Sequence, residues 1–165
     1  MIIIIVANIL SLIGCALLVY IGSLPSREDV LHWQNIQSLI MVASNALLGG
    51  ISGSISNLIA VARNLYSRKI QFHAIQKAFF VGLQFVITTL FNSQGLVGYM
   101  PFIAASIFTV VIDSNNIVIT KIALALAQLC WLIFDLTILN VVGVCFDVAT
   151  ILSNIMYIAK HRNYN

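Results

Sequence analysis

The stretch from Asp135 to Asn154 reads DLTILNVVGVCFDVATILSN, with carboxylates and amides set into an otherwise apolar run. Ninety positions earlier, with no gap, the stretch from Asn45 to Asn64 reads NALLGGISGSISNLIAVARN. The informative positions coincide in pairs: Asn45 with Asp135, Gly53 with Gly143, Asn57 with Asp147 and Asn64 with Asn154. We interpret the chain as two copies of one membrane unit that meet around these polar side chains.

The composition is that of a protein surrounded by lipid. Of 165 residues, 61% are hydrophobic and only 8% are charged, and the mean hydropathy is +1.03. Soluble domains carry roughly 25% charged residues, and a water-soluble protein this apolar would expose large apolar patches. We expect one membrane domain over residues 1–165, in contact with the lipid bilayer and without a separate soluble domain. The formal charge of +3 does not indicate nucleic-acid binding, because the basic residues are scattered at segment ends.

Seven apolar segments are candidates for membrane-spanning helices, each of which needs about 20 residues. Polar, Pro-containing and Gly-containing stretches separate them. Ser23 to Trp33 is predicted to be a loop, and turns are predicted at Asn92 to Gly95 and at Asp113 to Asn116. The predicted spans are about 2–21, 36–48, 52–66, 78–91, 96–112, 118–139 and 141–159. The sequence thus predicts an all-α membrane protein with seven transmembrane helices.

The distribution of Lys and Arg favours seven spans over six. With seven spans, the loops after spans one, three and five lie on the same side as the C-terminal tail. That side carries all the basic residues of the loops and tail: Arg27, Arg68, Lys69, Lys77, Lys121, Lys160 and Arg162. By the positive-inside rule this side is cytoplasmic, so the N-terminus is expected outside. Arg63, near the same end of span three, is expected to extend to the lipid headgroups.

An odd number of spans divides as three, one and three. The ninety-residue offset relates span one to five, two to six and three to seven. Span four then links two triplets that insert in the same direction, a plan found in transporters with parallel repeats. The predicted divisions are a first three-helix repeat at 1–70, a linker helix at 71–94 and a second repeat at 95–165.

Six polar side chains within the spans are the candidate lining of a substrate pathway: Asn45, Asn57, Asn64, Asp135, Asp147 and Asn154. Seven residues are two helical turns, so Asn57 and Asn64 share a helix face, as do Asp147 and Asn154. A carboxylate facing lipid costs about 2.5–3.5 kcal/mol. We therefore expect both polar faces to point inward and to enclose one cavity, with Asp147 as a substrate acceptor or proton carrier.

The same side chains also have a purely structural interpretation. Asn and Ser commonly join membrane helices, with each contact contributing about 0.6–2 kcal/mol. For Asn45 and Asn64 taken alone, this role is favoured over ligand binding. Asp135 is also close enough to the outer end of span six to reach the lipid headgroups. Trp131, in the middle of span six, could stack on a substrate, but a packed position in the core is at least as consistent with the sequence.

No catalytic or metal-binding pattern stands out. The cysteines lie within apolar runs and have no metal-ligand spacing: Cys15, Cys130 and Cys145. The three histidines fall at predicted loops. The chain has no nucleophile with a base at helical spacing and no phosphate-binding glycine loop. We expect no enzyme activity and no cofactor.

The run from Leu47 to Lys69, LLGGISGSISNLIAVARNLYSRK, resembles the small YgjV-type bacterial inner-membrane proteins. The second half is similar as well, with Pro101 in span five and a last helix that ends in KHR at Arg162. That family has no established activity to carry over. The resemblance therefore implies a place in the bacterial inner membrane, and no particular reaction or solute.

The family's architecture is similar to that of the SWEET and SemiSWEET sugar carriers and the PnuC vitamin-precursor carriers, with three plus one plus three helices. In SWEET carriers an asparagine on the third helix of each repeat lines the substrate site. The resemblance implies this role for Asn57 or Asn64 and for Asp147 or Asn154.

SWEET carriers also place a proline hinge in the first helix of each repeat. This chain has Pro101 in span five but Ser11 at the equivalent position of span one. A symmetric proline-hinged motion is therefore not expected, and the glycines at positions 49, 50 and 53 are the alternative flexible points.

Three functions remain open from the sequence. The first is a carrier that moves a small polar solute by alternating access around an Asn/Asp-lined cavity, alone or as a homo-oligomer. The second is a non-transporting membrane scaffold or assembly subunit whose polar residues only pack helices. The third, a membrane enzyme or redox protein, would depend on the three cysteines.

Overall fold

The computed structural model describes residues 2–22, 27–70, 72–112, 114 and 117–161, and within them it contains only helices and connecting segments. A short 3-10 helix, Val97–Tyr99, directly precedes the fifth α-helix. The α-helices are α1 Ile2–Gly22, α2 Arg27–Leu47, α3 Ile51–Ser67, α4 Ala74–Phe91, α5 Met100–Val111, α6 Ile117–Thr137 and α7 Val141–His161. The prediction of an all-α protein with seven helices is confirmed.

Polar side chains lie inside the protein and large apolar ones lie on its surface. Within the described residues, three helices are long and apolar enough to cross a membrane: Ile2–Ile21, Ala74–Phe91 and Val141–Ala159. Leu90 on α4 and Met156 on α7 are more than 70% exposed, whereas Asn45 and Asn64 are buried. This distribution is the reverse of that in a water-soluble protein, and it suits helices whose outer faces contact lipid.

Helix α2 begins earlier than predicted. Ser23 to Trp33 was expected to be a loop, but α2 starts at Arg27, so that prediction is wrong from this residue onward. Asp29 falls in the first turn, where an acidic side chain stabilises the positive end of a helix. Leu31 is already buried, so α2 is packed against the rest of the protein from its second turn. Residues 23–26 lie outside the described part, as does the predicted turn at 113–116 apart from Ser114.

Pro101 lies in the first turn of α5 rather than in the middle of a spanning helix. The predicted span at 96–112 is divided into the 3-10 helix and α5. A proline is tolerated in the first turn of a helix because the N–H that it lacks has no partner within the helix there. Pro101 therefore begins α5 and is not a hinge within it.

Helices that follow one another in the chain pack against each other. Helix α1 packs on α2 and α2 on α3, and likewise α5 packs on α6 and α6 on α7. These two groups meet where α1 contacts α7 and where α3 contacts α5, while α4 contacts both α3 and α5. The space between the two groups is where the candidate site lies.

Small and hydroxyl-bearing residues hold α1 close to α2. The hydroxyl oxygens of Ser11 and Ser44 are 2.7 Å apart, and the Ser44 hydroxyl donates to the carbonyl oxygen of Ala7 at 2.8 Å. All three residues are fully buried. Such contacts let membrane helices approach closely, so these serines have a structural role.

The α2–α3 and α6–α7 connections have the same geometry ninety positions apart. The Gly50 N–H donates to the Asn45 carbonyl oxygen at 2.7 Å, and the Asn140 N–H donates to the Asp135 carbonyl oxygen at 3.0 Å. The residue with positive φ in the first turn is Gly49, and the residue with positive φ in the second is the leucine at position 139. Both pairs of helices also end and resume at positions ninety apart.

Replacing Leu139 with glycine is expected to stabilise the protein by about 0.5–1 kcal/mol. The backbone at Leu139 has φ +59°, a left-handed conformation that costs an L-residue roughly 1–2 kcal/mol but costs glycine little. The side chain is 61% exposed, so little packing is lost. Unfolding of the purified protein from mixed micelles by SDS would measure the change.

The reverse substitution is the matched control. Gly49 has φ +77° and nothing within 4 Å of a Cβ built on it. Gly49→Leu should therefore lower stability by about 1–2 kcal/mol through backbone strain alone. A gain from Gly49→Leu, or a loss from Leu139→Gly, would contradict this account of the two turns.

Candidate functional site

A polar cavity lies between the two groups of helices and consists of two adjoining compartments. The acidic compartment has a volume of about 170 Å³ and is lined by Asp135 and Asp147. The basic compartment has a volume of about 150 Å³ and is lined by Arg63 and Asn64. Five residues line both compartments: Leu18, Gln37, Asn57, Gln128 and Trp131. The two compartments therefore adjoin at these residues, with carboxylates in one compartment and a guanidinium in the other.

Asp147 projects from α7 into the acidic compartment with one carboxylate oxygen unpaired. The Gln128 side-chain amide donates to Asp147 Oδ1 at 2.5 Å. Asp147 Oδ2 is buried and has no hydrogen-bond partner among the described residues. Buried polar atoms are nearly always bonded in native proteins, so this oxygen is available to accept from a ligand or to carry a proton.

Asp135 lies in the same compartment with one oxygen held in place. The Asn140 amide donates to Asp135 Oδ2 at 3.1 Å, while Oδ1 is buried without a partner in the described part. Asn140 also accepts from the Gly143 N–H at 3.1 Å, which caps the N-terminus of α7. A Cβ at Gly143 would overlap Asp135 Oδ2. Glycine at this position lets α7 approach the carboxylate of α6.

Arg63 is buried in the basic compartment, and the prediction that it extends to the headgroups is wrong. Its side chain is only 5% exposed. Nη1 donates to Thr109 Oγ1 at 2.9 Å, and Nη2 donates to Asn64 Oδ1 at 3.2 Å. The guanidinium carbon lies 5.0 Å from the ring centroid of Phe108, a cation–π distance. Helix α5 supplies Thr109 and Phe108, and the proximity of α5 to α3 cannot be read from the sequence around Arg63.

The two asparagines predicted to share a face of α3 both line the cavity. Asn57 borders both compartments and donates to the Gly53 carbonyl oxygen at 3.1 Å. Asn64 accepts from Arg63, and its amide nitrogen lies 3.5 Å from Gln34 Oε1. Helix α3 thus presents a polar wall along the length of the cavity.

Asn45 and Asn154 are not among the residues that line either compartment. Asn45 is fully buried, and neither atom of its amide has a partner in the described part. A Cβ at Gly53 would lie 2.9 Å from Asn45 Nδ2, so Asn45 packs between α2 and α3. Asn154 is buried and donates to the Thr150 carbonyl oxygen at 2.9 Å. Of the six predicted pathway residues, the structure brings four together at the cavity.

The sequence model of the Imp-YgjV family, described as a bacterial inner membrane protein, matches residues 5–165. The chain belongs to this family. The resemblance of the sequence to the YgjV-type inner-membrane proteins is thereby confirmed. No curated protein and no solved structure matches the chain. Family membership and the apolar helices together make this a protein of the bacterial inner membrane.

Three cavity residues of this Imp-YgjV protein were not selected from the sequence. Gln37 and Gln128 line both compartments, but the ninety-residue comparison pairs them with Ala127 and Ser38 and so gave them no weight. A glutamine within an apolar span was itself the available signal. Trp131, for which stacking and core packing were both open, is half-buried and forms part of the cavity wall.

Proposed function

We propose that this Imp-YgjV protein carries a small polar solute across the inner membrane by alternating access to the cavity. The observation that carries the proposal is the buried Oδ2 of Asp147, which has no partner among the described residues, at the wall of the cavity between the two groups of helices. Cavities lined by a few convergent polar groups are the usual form of a small-molecule site. Ionisable residues within membrane proteins commonly mark substrate or ion pathways.

A role in helix packing alone accounts poorly for the site. Leaving a buried acceptor unsatisfied costs about 1–3 kcal/mol, and both Asp135 and Asp147 have one such oxygen. A scaffold is supported by the Ser11–Ser44 contact, where the hydroxyl groups are paired. That contact lies outside the cavity lining. Under our proposal the paired serines hold helices together, whereas the aspartates at the cavity bind the solute.

The proposed architecture is two parallel three-helix repeats, at 1–70 and 95–165, joined by a linker helix at 71–94. The contacts between helices support it, because α1 corresponds to α5 and α7 corresponds to α3. The α1–α7 contact therefore has the α5–α3 contact as its equivalent, and both contacts are present. The matching turns, with positive φ at Gly49 and Leu139, support the same relation. We propose seven membrane crossings with the N-terminus outside, because the basic loops then lie in the cytoplasm.

Thermal stabilisation by ligands is the direct test of a binding cavity. Detergent-purified protein would be screened against sugars, nucleosides, vitamin precursors and amino acids, alongside the Asp147→Asn variant. A ligand at about 100 times its Kd adds about 2.7 kcal/mol to stability. We expect a ligand that stabilises the natural sequence and does so far less in the variant.

Ser153→Ala is the matched control, because Ser153 lies on α7 with an exposed side chain. It should keep the full ligand response. If no compound stabilised the protein and Asp147→Asn were as stable as the natural sequence, a scaffold would replace the carrier.

A further inference from the structure

We infer that the solute is a small zwitterion whose anionic group binds Arg63 and whose cationic group binds Asp147, with Asp135 beside it. The inference rests on the proposed function and narrows its solute to one chemical class. It is drawn from the placement of opposite charges in two compartments that adjoin at five shared lining residues.

The charges lie at opposite ends of the site. Asp135 and Asp147 line the acidic compartment only, and Arg63 lines the basic compartment only. Asn57 borders both compartments and lies six residues before Arg63 on α3, which is about 9 Å along a helix axis. The residues that line both compartments are three with side-chain amides, one leucine and one tryptophan. A solute lying along this wall therefore meets unlike charges at its two ends.

Arg63 has the chemistry of an anion-binding group. Its hydrogen-bond partners are the neutral side chains of Thr109 and Asn64, and no carboxylate pairs with it among the described residues. Burying a cation without a counter-ion is unfavourable. The guanidinium fork matches a carboxylate in a bidentate arrangement. A carboxylate on the solute would supply the missing counter-charge.

The acidic compartment has the chemistry of a site for a protonated amine. Asp147 Oδ2 and Asp135 Oδ1 are both buried acceptors without partners in the described part of the chain. An ammonium group offers three donors and no acceptor, which suits two such oxygens. The indole of Trp131 borders the same compartment, and aromatic faces attract cations.

Other solute classes satisfy only part of this site. A neutral sugar supplies no charge for either end, and a simple anion leaves the carboxylates without a cation. The rival arrangement is an anion bound by Arg63 with a proton on Asp147. The compartments, at about 150 and 170 Å³, are smaller than the roughly 300–1,000 Å³ of pockets for drug-sized ligands, which restricts the solute to a small molecule.

Matched probes test the inference on the natural sequence without any substitution. Binding of glycine, β-alanine and γ-aminobutyrate to the detergent-purified full chain would be measured at pH 7. Propionate, which lacks the amine, and ethylamine, which lacks the carboxylate, would be measured beside them, with ribose as a neutral probe. We expect one of the three zwitterions to bind at least about tenfold more tightly than either single-charge analogue. If propionate bound as tightly as the zwitterions, the inference would be overturned. The rival arrangement, with an anion on Arg63 and a proton on Asp147, would then replace it.

Two variants assign each charge to its end of the solute. Asp147→Asn should weaken binding of the zwitterion about tenfold or more and leave that of propionate unchanged. Arg63→Gln should weaken binding of the zwitterion by a similar factor and leave that of ethylamine unchanged. A purely structural effect would weaken every probe equally, which would contradict the assignment.

The outcomes separate this inference from the proposed function. Binding of ribose that depends on Asp147 would support a carrier and overturn a zwitterionic solute. A lack of binding by all of these probes would overturn the zwitterion, and the proposed function would then be decided by the broader ligand panel.

Discussion

Phe134→Ala is expected to lower the free energy of unfolding by about 3–5 kcal/mol, the range for deleting a fully buried aromatic ring. Phe134 has no exposed surface. A Cβ built on Gly50 would lie 3.0 Å from Phe134 Cζ, and one on Gly53 would lie 2.5 Å from Phe134 Cε1, so the ring packs α6 directly on α3. It also meets Trp131 edge to face, with the ring centroids 5.9 Å apart. Removing it leaves a void between the two halves of the chain.

The measurement is unfolding by SDS from mixed micelles, followed by circular dichroism. Phe91→Ala is the matched control, because Phe91 is 58% exposed at the end of α4 and should change stability by less than about 1 kcal/mol. Trp131 should also lose its fixed orientation, which would weaken ligand binding beyond the loss of stability. A change at Phe134 no larger than that at Phe91 would show that α6 does not pack on α3 in this way.

Gly53→Ala is expected to destabilise the protein by about 2–3 kcal/mol, toward the upper end for overpacking a core. The added Cβ would lie 2.5 Å from Phe134 Cε1 and 2.9 Å from Asn45 Nδ2. Phe134 and Asn45 are both fully buried, so neither has free space into which to move. The clash must be relieved by separating α3 from α6 or α2.

Gly82→Ala is the matched control for this change. Gly82 lies within α4, and a Cβ there meets nothing within 4 Å, so alanine should be neutral or slightly stabilising. Combining Gly53→Ala with Phe134→Leu should recover part of the loss, because a smaller side chain makes room for the new methyl group. Strict additivity of the two changes would mean that Gly53 and Phe134 do not interact.

The sequence predicted much of the site because lipid excludes charge. Asp147, well within its span, was expected to point inward, and the spacing of Asn57 and Asn64 placed them on one face. Asp135 was a candidate for the same cavity. All four line the cavity. Arg63 was placed wrongly because a long cationic side chain near a helix end can extend to either environment. Only the position of Thr109 and Phe108 on the neighbouring helix decides that it stays inside.

The helix boundaries were also predicted only in part. The lengths of the apolar segments located the helices, but they missed the first turns of α2, which begins at Arg27. These turns carry charged residues, and the burial of Leu31 cannot be read from their composition. Asn45 and Asn154 were predicted at the pathway from their polarity and from their pairing with Asp135 and Asn64, and the structure places both away from the cavity lining. Polarity within a span signals a buried position. Whether that position faces a cavity or another helix depends on packing between distant segments.

The two halves carry different charges at equivalent positions. Asn45 and Asn57 in the first half correspond to Asp135 and Asp147 in the second. In a symmetric homodimer of one half, every side chain would occur twice around the axis, so each buried carboxylate would face its own copy. Under the proposed repeat arrangement, fusion of the two halves into one chain removes that constraint. One end of the cavity can then be acidic and the other basic. A solute with opposite charges at its two ends would then bind in only one orientation, whichever side of the membrane it enters from.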